Sequence, residues 1–163
     1  MQSPFSGSPL VRVRPTSSND LPALRAVIDS TGLFPGEMLD DMIAPFLSGD
    51  EGSHRWLTLD DGEPIGIAYV VPERMTEGTW NLLLIAVRSD RQAVGFGGSL
   101  LETVERSLAE TGQRVLLVET SGLPEFDRTR AFYDRHGYRR EAIIRDFYQE
   151  GEDKVVFWKR LKP

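Results

Sequence analysis

The spacing of apolar positions changes several times along the chain, and each change marks an element. Leu10 to Arg14 alternates apolar with basic residues and reads as a first strand stopped by Pro15. The polar run Thr16 to Asp20 then offers N-cap candidates for a helix from Leu21 to Ser30, with Leu21, Leu24, Val27 and Ile28 at helical spacing. A loop from Thr31 to Gly36 leads to a second helix, Glu37 to Leu47, interrupted near Pro45 and carrying Glu37, Asp40 and Asp41. From Arg55 the pattern is that of strands. One run meets a hairpin signal at Asp61-Gly62, a second contains Gly66, and a third, Trp80 to Val87, is almost continuously apolar, as expected where both faces are covered. Ser99 to Thr111 returns to helical spacing, with Leu100, Leu101, Val104 and Leu108 on one face and Gly112 as its stop. Arg114 to Thr120 is a buried strand, and a right-handed crossover makes it parallel to the Trp80 strand. A short helix, Asp127 to His136, and two strands, Tyr138 to Arg145 and Lys154 to Lys159, complete the chain.

Composition narrows the class. The 163 residues, 40% hydrophobic and 27% charged, suit one domain over residues 10–163 after a flexible Ser, Pro and Gly-bearing lead-in at 1–9. A net charge of -6 argues against a nucleic-acid partner and favours a cationic or neutral one. The absence of cysteine excludes disulfides, thiolate metal sites and a thiol nucleophile, and it is compatible with a reducing cytoplasm. His54 and His136 lack metal-ligand spacing, so no metal is expected. The longest apolar run, Leu82 to Val87, is too short for a bilayer, and no membrane partner is expected.

The candidate chemistry lies where the third strand of the run passes into a helix. Gly95, Gly97 and Gly98 stand at that junction. A helix start carries unpaired N–H groups and the positive end of the peptide dipole, and glycines allow a ligand close to the backbone. The same glycines would also serve a plain tight connection. No lysine follows them as in a triphosphate-binding loop, and GFGG is not the dinucleotide spacing.

Two motifs together carry a resemblance. Gln92-Ala93-Val94-Gly95-Phe96-Gly97 is similar to the QxxGxG pyrophosphate motif of the GCN5-related N-acetyltransferases (GNAT), and TRAFYDRHGYRRE resembles the family's second signature. The order of elements from Val11 to Leu161 also resembles that fold. The resemblance implies an α+β protein, layered α/β/α, with a mixed, mostly antiparallel central sheet whose parallel pair splays at the acetyl-coenzyme A (acetyl-CoA) site. It implies acetyl-CoA as cosubstrate, no metal, direct transfer to an amine, and a homodimer through the terminal strands. Main-chain groups of Ile85, Ala86 and Val87 would receive the pantetheine arm and polarise the thioester carbonyl. The N–H groups from Gln92 through Ala93, Val94, Gly95, Phe96, Gly97 and Gly98 to Ser99 would hold the pyrophosphate. The basic residue frequent in the family at Val94 is missing, so Arg88 and Arg91 are the expected neighbouring charges.

Tyr133 matches the tyrosine that protonates the departing thiolate in the family. For the base, Glu119 at a strand end is the first candidate, with Glu77, Glu73 or a water chain behind it. The acceptor expected is a small primary amine, a cationic one being favoured by the acidic charge. Acetylation of a protein N-terminus or lysine is the alternative within the same chemistry. A coenzyme A-binding regulatory module without turnover is the alternative outside it.

Overall fold

The computed structural model describes residues 11–50 and 52–162; the expected lead-in at 1–9, together with Leu10, lies outside them. The strands β1 (Arg12–Pro15), β2 (Arg55–Asp60), β3 (Pro64–Pro72), β4 (Thr79–Val87), β5 (Val115–Ser121), β6 (Arg139–Gln149) and β7 (Glu152–Arg160) lie in the order β1-β2-β3-β4-β5-β7-β6. The β4/β5 pair is parallel, whereas β1/β2, β5/β7 and β6/β7 are antiparallel. The helices are α1 (Leu21–Thr31), α2 (Leu39–Leu47), α3 (Phe96–Glu110) and α4 (Asp127–Arg135). None of the described helices is long and apolar enough to cross a membrane. The chain divides into two compact units, Met1–Ala68 with Ile85–Leu100, and Tyr69–Leu84 with Leu101–Pro163.

In the first unit, Leu24, Val27, Ile28, Leu39 and Ile43 of the helices and Trp56, Leu59, Ile65 and Ile67 of the strands are wholly buried. Gly66 is required there by space. A Cβ at that position would stand 3.0 Å from Leu59 Cβ and 3.2 Å from the carbonyl oxygen of Ala86. Pro15 closes β1, which is the edge strand, where a missing N–H costs no ladder bond. The second helix begins as a short 3-10 turn, Gly36–Met38, and α2 then runs through Pro45 to Leu47. Asp40 pairs with Arg25 of α1 at 2.8 Å, so this member of the acidic trio joins two helices and its charge is already met.

A polar knot anchors β1 to the start of α1. Arg14 donates from both terminal nitrogens to Asp20, each at 2.7 Å, and also to Asp60 at 3.0 and 3.2 Å. Asp20 accepts from the Ser17 N–H at 2.8 Å.

In the second unit, Leu116, Phe157, Val104 and Leu108 are wholly buried. β6 is longer than its apolar pattern suggests and all of it is exposed. Its register against β7 breaks between Ile144 and Gln149, around Asp146 at φ 54°. The carboxylate of Asp146 accepts from the Gly151 N–H at 2.9 Å and its own N–H donates to Asp153 at 3.0 Å, which satisfies the bulge internally.

The Arg14 guanidinium holds the Asp20 carboxyl down to about 2, against an ordinary 3.8. A depressed carboxylate stabilises the fold above its unfolded pKa and loses that contribution as pH falls through the folded one, here from about pH 4 to pH 2. Asp20→Asn is expected to cost about 2 kcal/mol at pH 7. In urea titrations the gap between the two proteins should close below pH 4; a gap independent of pH would contradict the assignment.

Candidate active site

The end of β4 and the glycine turn belong to the first unit. The Arg88 N–H donates to the Ile65 carbonyl of β3 at 2.8 Å. Strand geometry alternates, so the main-chain groups of Ile85 and Val87 point away from β3. Gln92 folds back and donates through Nε2 to the Val87 carbonyl at 2.9 Å, tying the turn to the strand end. Ala93 and Gly95 take left-handed conformations, at φ 65° and 89°. The space where a Gly95 Cβ would stand is open, so conformation and not crowding favours glycine there.

α3 starts at Phe96, three residues before the position expected from apolar spacing, because Gly97 and Gly98 form its first turn. Its first closing bond runs from the Ser99 N–H to the Gly95 carbonyl at 3.0 Å. The N–H groups of Phe96, Gly97 and Gly98 precede that bond and have no acceptor within the helix. Together with the dipole of a 15-residue helix they form an anion-binding start. Val94 is 64% exposed and contributes no charge. The expected help from Arg88 and Arg91 is already committed. Arg88 pairs with Asp90 at 2.6 Å and Glu63 at 3.1 Å, and Arg91 pairs with Asp61 at 2.7 Å. A cleft of about 470 Å³ beside the turn is lined by Val11, Asp61, Gly62, Glu63, Arg91 and Phe96.

The second unit holds the other candidates. The parallel ladder runs from Thr79↔Val115 to Leu82↔Val118, while β5 stays paired with β7 as far as Ser121↔Lys154. The two parallel strands therefore part after Leu82. One face of this sheet carries Leu116, Val118, Val155 and Phe157, all buried, and Tyr133 of α4 packs there with its ring 5.4 Å from Phe157 and 5.5 Å from Tyr138. Burial pushes the Tyr133 phenol above its ordinary pKa, so it holds its proton at neutral pH. Thr120, on the same face by strand alternation, is buried with no partner for its hydroxyl.

The opposite face carries Glu119. Its carboxylate accepts from Asn81 Nδ2 at 3.1 Å and pairs with Lys154 at 2.8 Å. Asn81 Nδ2 also donates to Glu73 at 2.9 Å, so Glu73 joins the cluster. Glu77 is exposed in the β3/β4 connection. Asn81 and Lys154 were not legible as site residues. The signal for Asn81 was its presence as the one amide in the apolar run WNLLLIAV. Arg130 fixes α4 to the end of β5: Nη1 donates to the carbonyls of Ser121 at 2.5 Å and Leu123 at 2.9 Å, and Nη2 pairs with Asp127.

A parallel pair that parts, an open helix start and a buried phenol can be set beside known proteins. The acetyltransferase (GNAT) domain model matches residues 51–140, more than half of the chain. An uncharacterized N-acetyltransferase of Methanocaldococcus jannaschii is 30% identical over 103 residues, which is 61% of this chain and 62% of that protein. A crystal structure from Desulfovibrio desulfuricans, assigned to the GNAT family as an acetyltransferase, is 32% identical with a TM-score of 0.86, covering 93% of this chain and 99% of that one. An aminoglycoside 6'-N-acetyltransferase in complex with coenzyme A shares the fold, with a TM-score of 0.72 at 16% identity over 93% of this chain and 98% of that one. The chain belongs to the GNAT family.

Ala93 is the residue of the turn that works against its own backbone, since a Cβ in the left-handed region costs about 1 kcal/mol. Ala93→Gly is expected to raise the melting temperature by about 2–4 °C, and a calorimetric scan showing no rise would contradict it.

Proposed function

We propose that this protein transfers acetyl from acetyl-CoA to the primary amine of a small molecule by direct attack. The observation that carries the reading is the parting of β4 and β5 after Leu82↔Val118, in a chain whose β4 runs on into an open helix start. The main-chain groups of Ile85 and the Val87 N–H, which point away from β3, suit an extended amide-bearing arm, and the N–H groups at the start of α3 suit its pyrophosphate. The thioester supplies an electrophilic carbonyl carbon.

The amine nitrogen forms a bond to that carbon and the carbon–sulfur bond breaks. An acceptor that arrives as an ammonium first gives one proton to Glu119, which frees its lone pair; the sulfur leaves with the proton of Tyr133, and the second proton lost by the nitrogen passes through water to restore the phenol. Tyr133 and Glu119 lie on opposite faces of the second unit's sheet, which supports giving one group to the leaving thiolate and the other to the amine. A phenol held neutral by burial is suited to donate, and a carboxylate 31% exposed is suited to pass its proton to water. The acidic net charge of -6 favours an amine that arrives as a cation.

Tyr133→Phe is expected to lower kcat about 100-fold, the range for a lost general acid, while coenzyme A still raises the melting temperature. Unchanged thiol release would remove Tyr133 from the mechanism. Gly97→Val places a side chain over the helix start and is expected to abolish most of that thermal shift. If millimolar coenzyme A gives no shift in the unmodified protein, the donor assignment fails.

A further inference from the structure

Asn81 is 4% exposed in the middle of an apolar strand, and its Oδ1 has no hydrogen-bond partner. The orientation of its amide is set by two acceptors, since Nδ2 donates to both Glu73 and Glu119. A buried acceptor without a donor is costly, and such a group calls for a ligand or a water. The charges around it are also unequal. Glu73 and Glu119 carry two negative charges, and Lys154 is the one cation paired with them among the described residues. One negative charge is left over beside an orphaned carbonyl. We propose that Asn81 Oδ1 and the carboxylates of Glu73 and Glu119 form the socket for the acceptor's ammonium group, and that the acceptor is a monocation with an apolar or aromatic substituent. This rests on the acetyl-transfer reading above.

The surroundings decide the substituent. Leu83, two residues along β4 on the same face, is 53% exposed where the ladder has ended. The bulge around Asp146 carries Phe147 and Tyr148, half exposed and packed edge to face with centroids 5.0 Å apart. Phe147 covers the Lys154 ammonium at 3.5 Å, which ties the bulge to the Glu119 pair. The Tyr148 phenol is pushed up by partial burial and by the nearby carboxylates of Glu119 and Glu152. An apolar and aromatic rim beside that surplus charge suits an arylalkylamine better than a polyamine, which has no aromatic group to set against Phe147 and Tyr148. Glu73 is half-buried and bonded to Asn81 at 2.9 Å, so it is a member of the cluster with a side open to solvent.

The test measures thiol release from acetyl-CoA with 2-phenylethylamine and with spermidine, in the unmodified protein and in Asn81→Leu and Glu73→Gln. Asn81→Leu is expected to raise KM for 2-phenylethylamine at least tenfold, leaving KM for acetyl-CoA and the coenzyme A thermal shift within twofold. Glu73→Gln keeps an acceptor for Asn81 and removes one charge, so it should fold normally and also raise that KM. A lowered melting temperature with unchanged amine KM in both variants would assign the Asn81 carbonyl to a structural water and overturn the socket. Spermidine turned over with the higher kcat/KM would overturn the monocation. Thiol release with neither amine, while the coenzyme A shift persists, would count against the small-amine reading itself and take this inference with it.

Discussion

The structure depends on one interrupted ladder. A strand inside a sheet normally has both edges paired, because an unpaired main-chain N–H or C=O away from water is costly. β4 departs from that rule. It pairs with β5 for four residues, Thr79 to Leu82, and then continues as far as Val87. The end of β5 does not fray in response, since β7 holds it through Ser121↔Lys154 and Arg130 caps the carbonyls beyond. The parting is thus supported from one side only, and in the proposed reading the β4 main chain beyond Leu82 serves a ligand that behaves like an added strand.

The two units use charge differently. At the glycine turn, every nearby arginine is matched by a carboxylate, so the attraction for an anion comes from oriented N–H groups and the helix dipole. In the second unit the imbalance runs the other way. Lys154 is buried between its neighbours and pairs with Glu119, but Glu73 shares the same asparagine and brings a further charge. In the reading proposed above, recognition of the donor is carried by backbone and recognition of the acceptor by side chains.

Much of the fold was legible, because apolar period and turn residues report directly on it. The parallel crossover, the hairpin at Asp61-Gly62 and the helix closed by Gly112 all follow from local pattern. The pattern was misleading where glycines served two purposes. Gly97 and Gly98 looked like turn residues, and they are the first turn of α3. Of the two left-handed positions in the turn, Gly95 follows the glycine pattern and Ala93 is one that no glycine pattern marks. Of the candidate site, the open start of α3 and the buried Tyr133 stand at positions that motifs marked. Asn81 and Lys154 could not, because their meaning lies in a meeting of β4, β5 and β7 that spacing along one strand does not encode. The arginines of the turn show the same limit: their charge was visible and their partners were not.

Arg130 has a further consequence. By joining the last carbonyls of β5 to the first turn of α4, it puts Glu119 and Tyr133 on one mechanical body, with the offset between them set by a buried guanidinium and not by the connecting loop. Residues Leu123 to Phe126 are then free to drift in sequence over generations without detuning the spacing of the two groups. Under the proposed chemistry, diversification of the acceptor in a lineage that keeps this arginine would be written into the aromatic rim at Phe147 and Tyr148 while the frame holding Glu119 and Tyr133 stays constant.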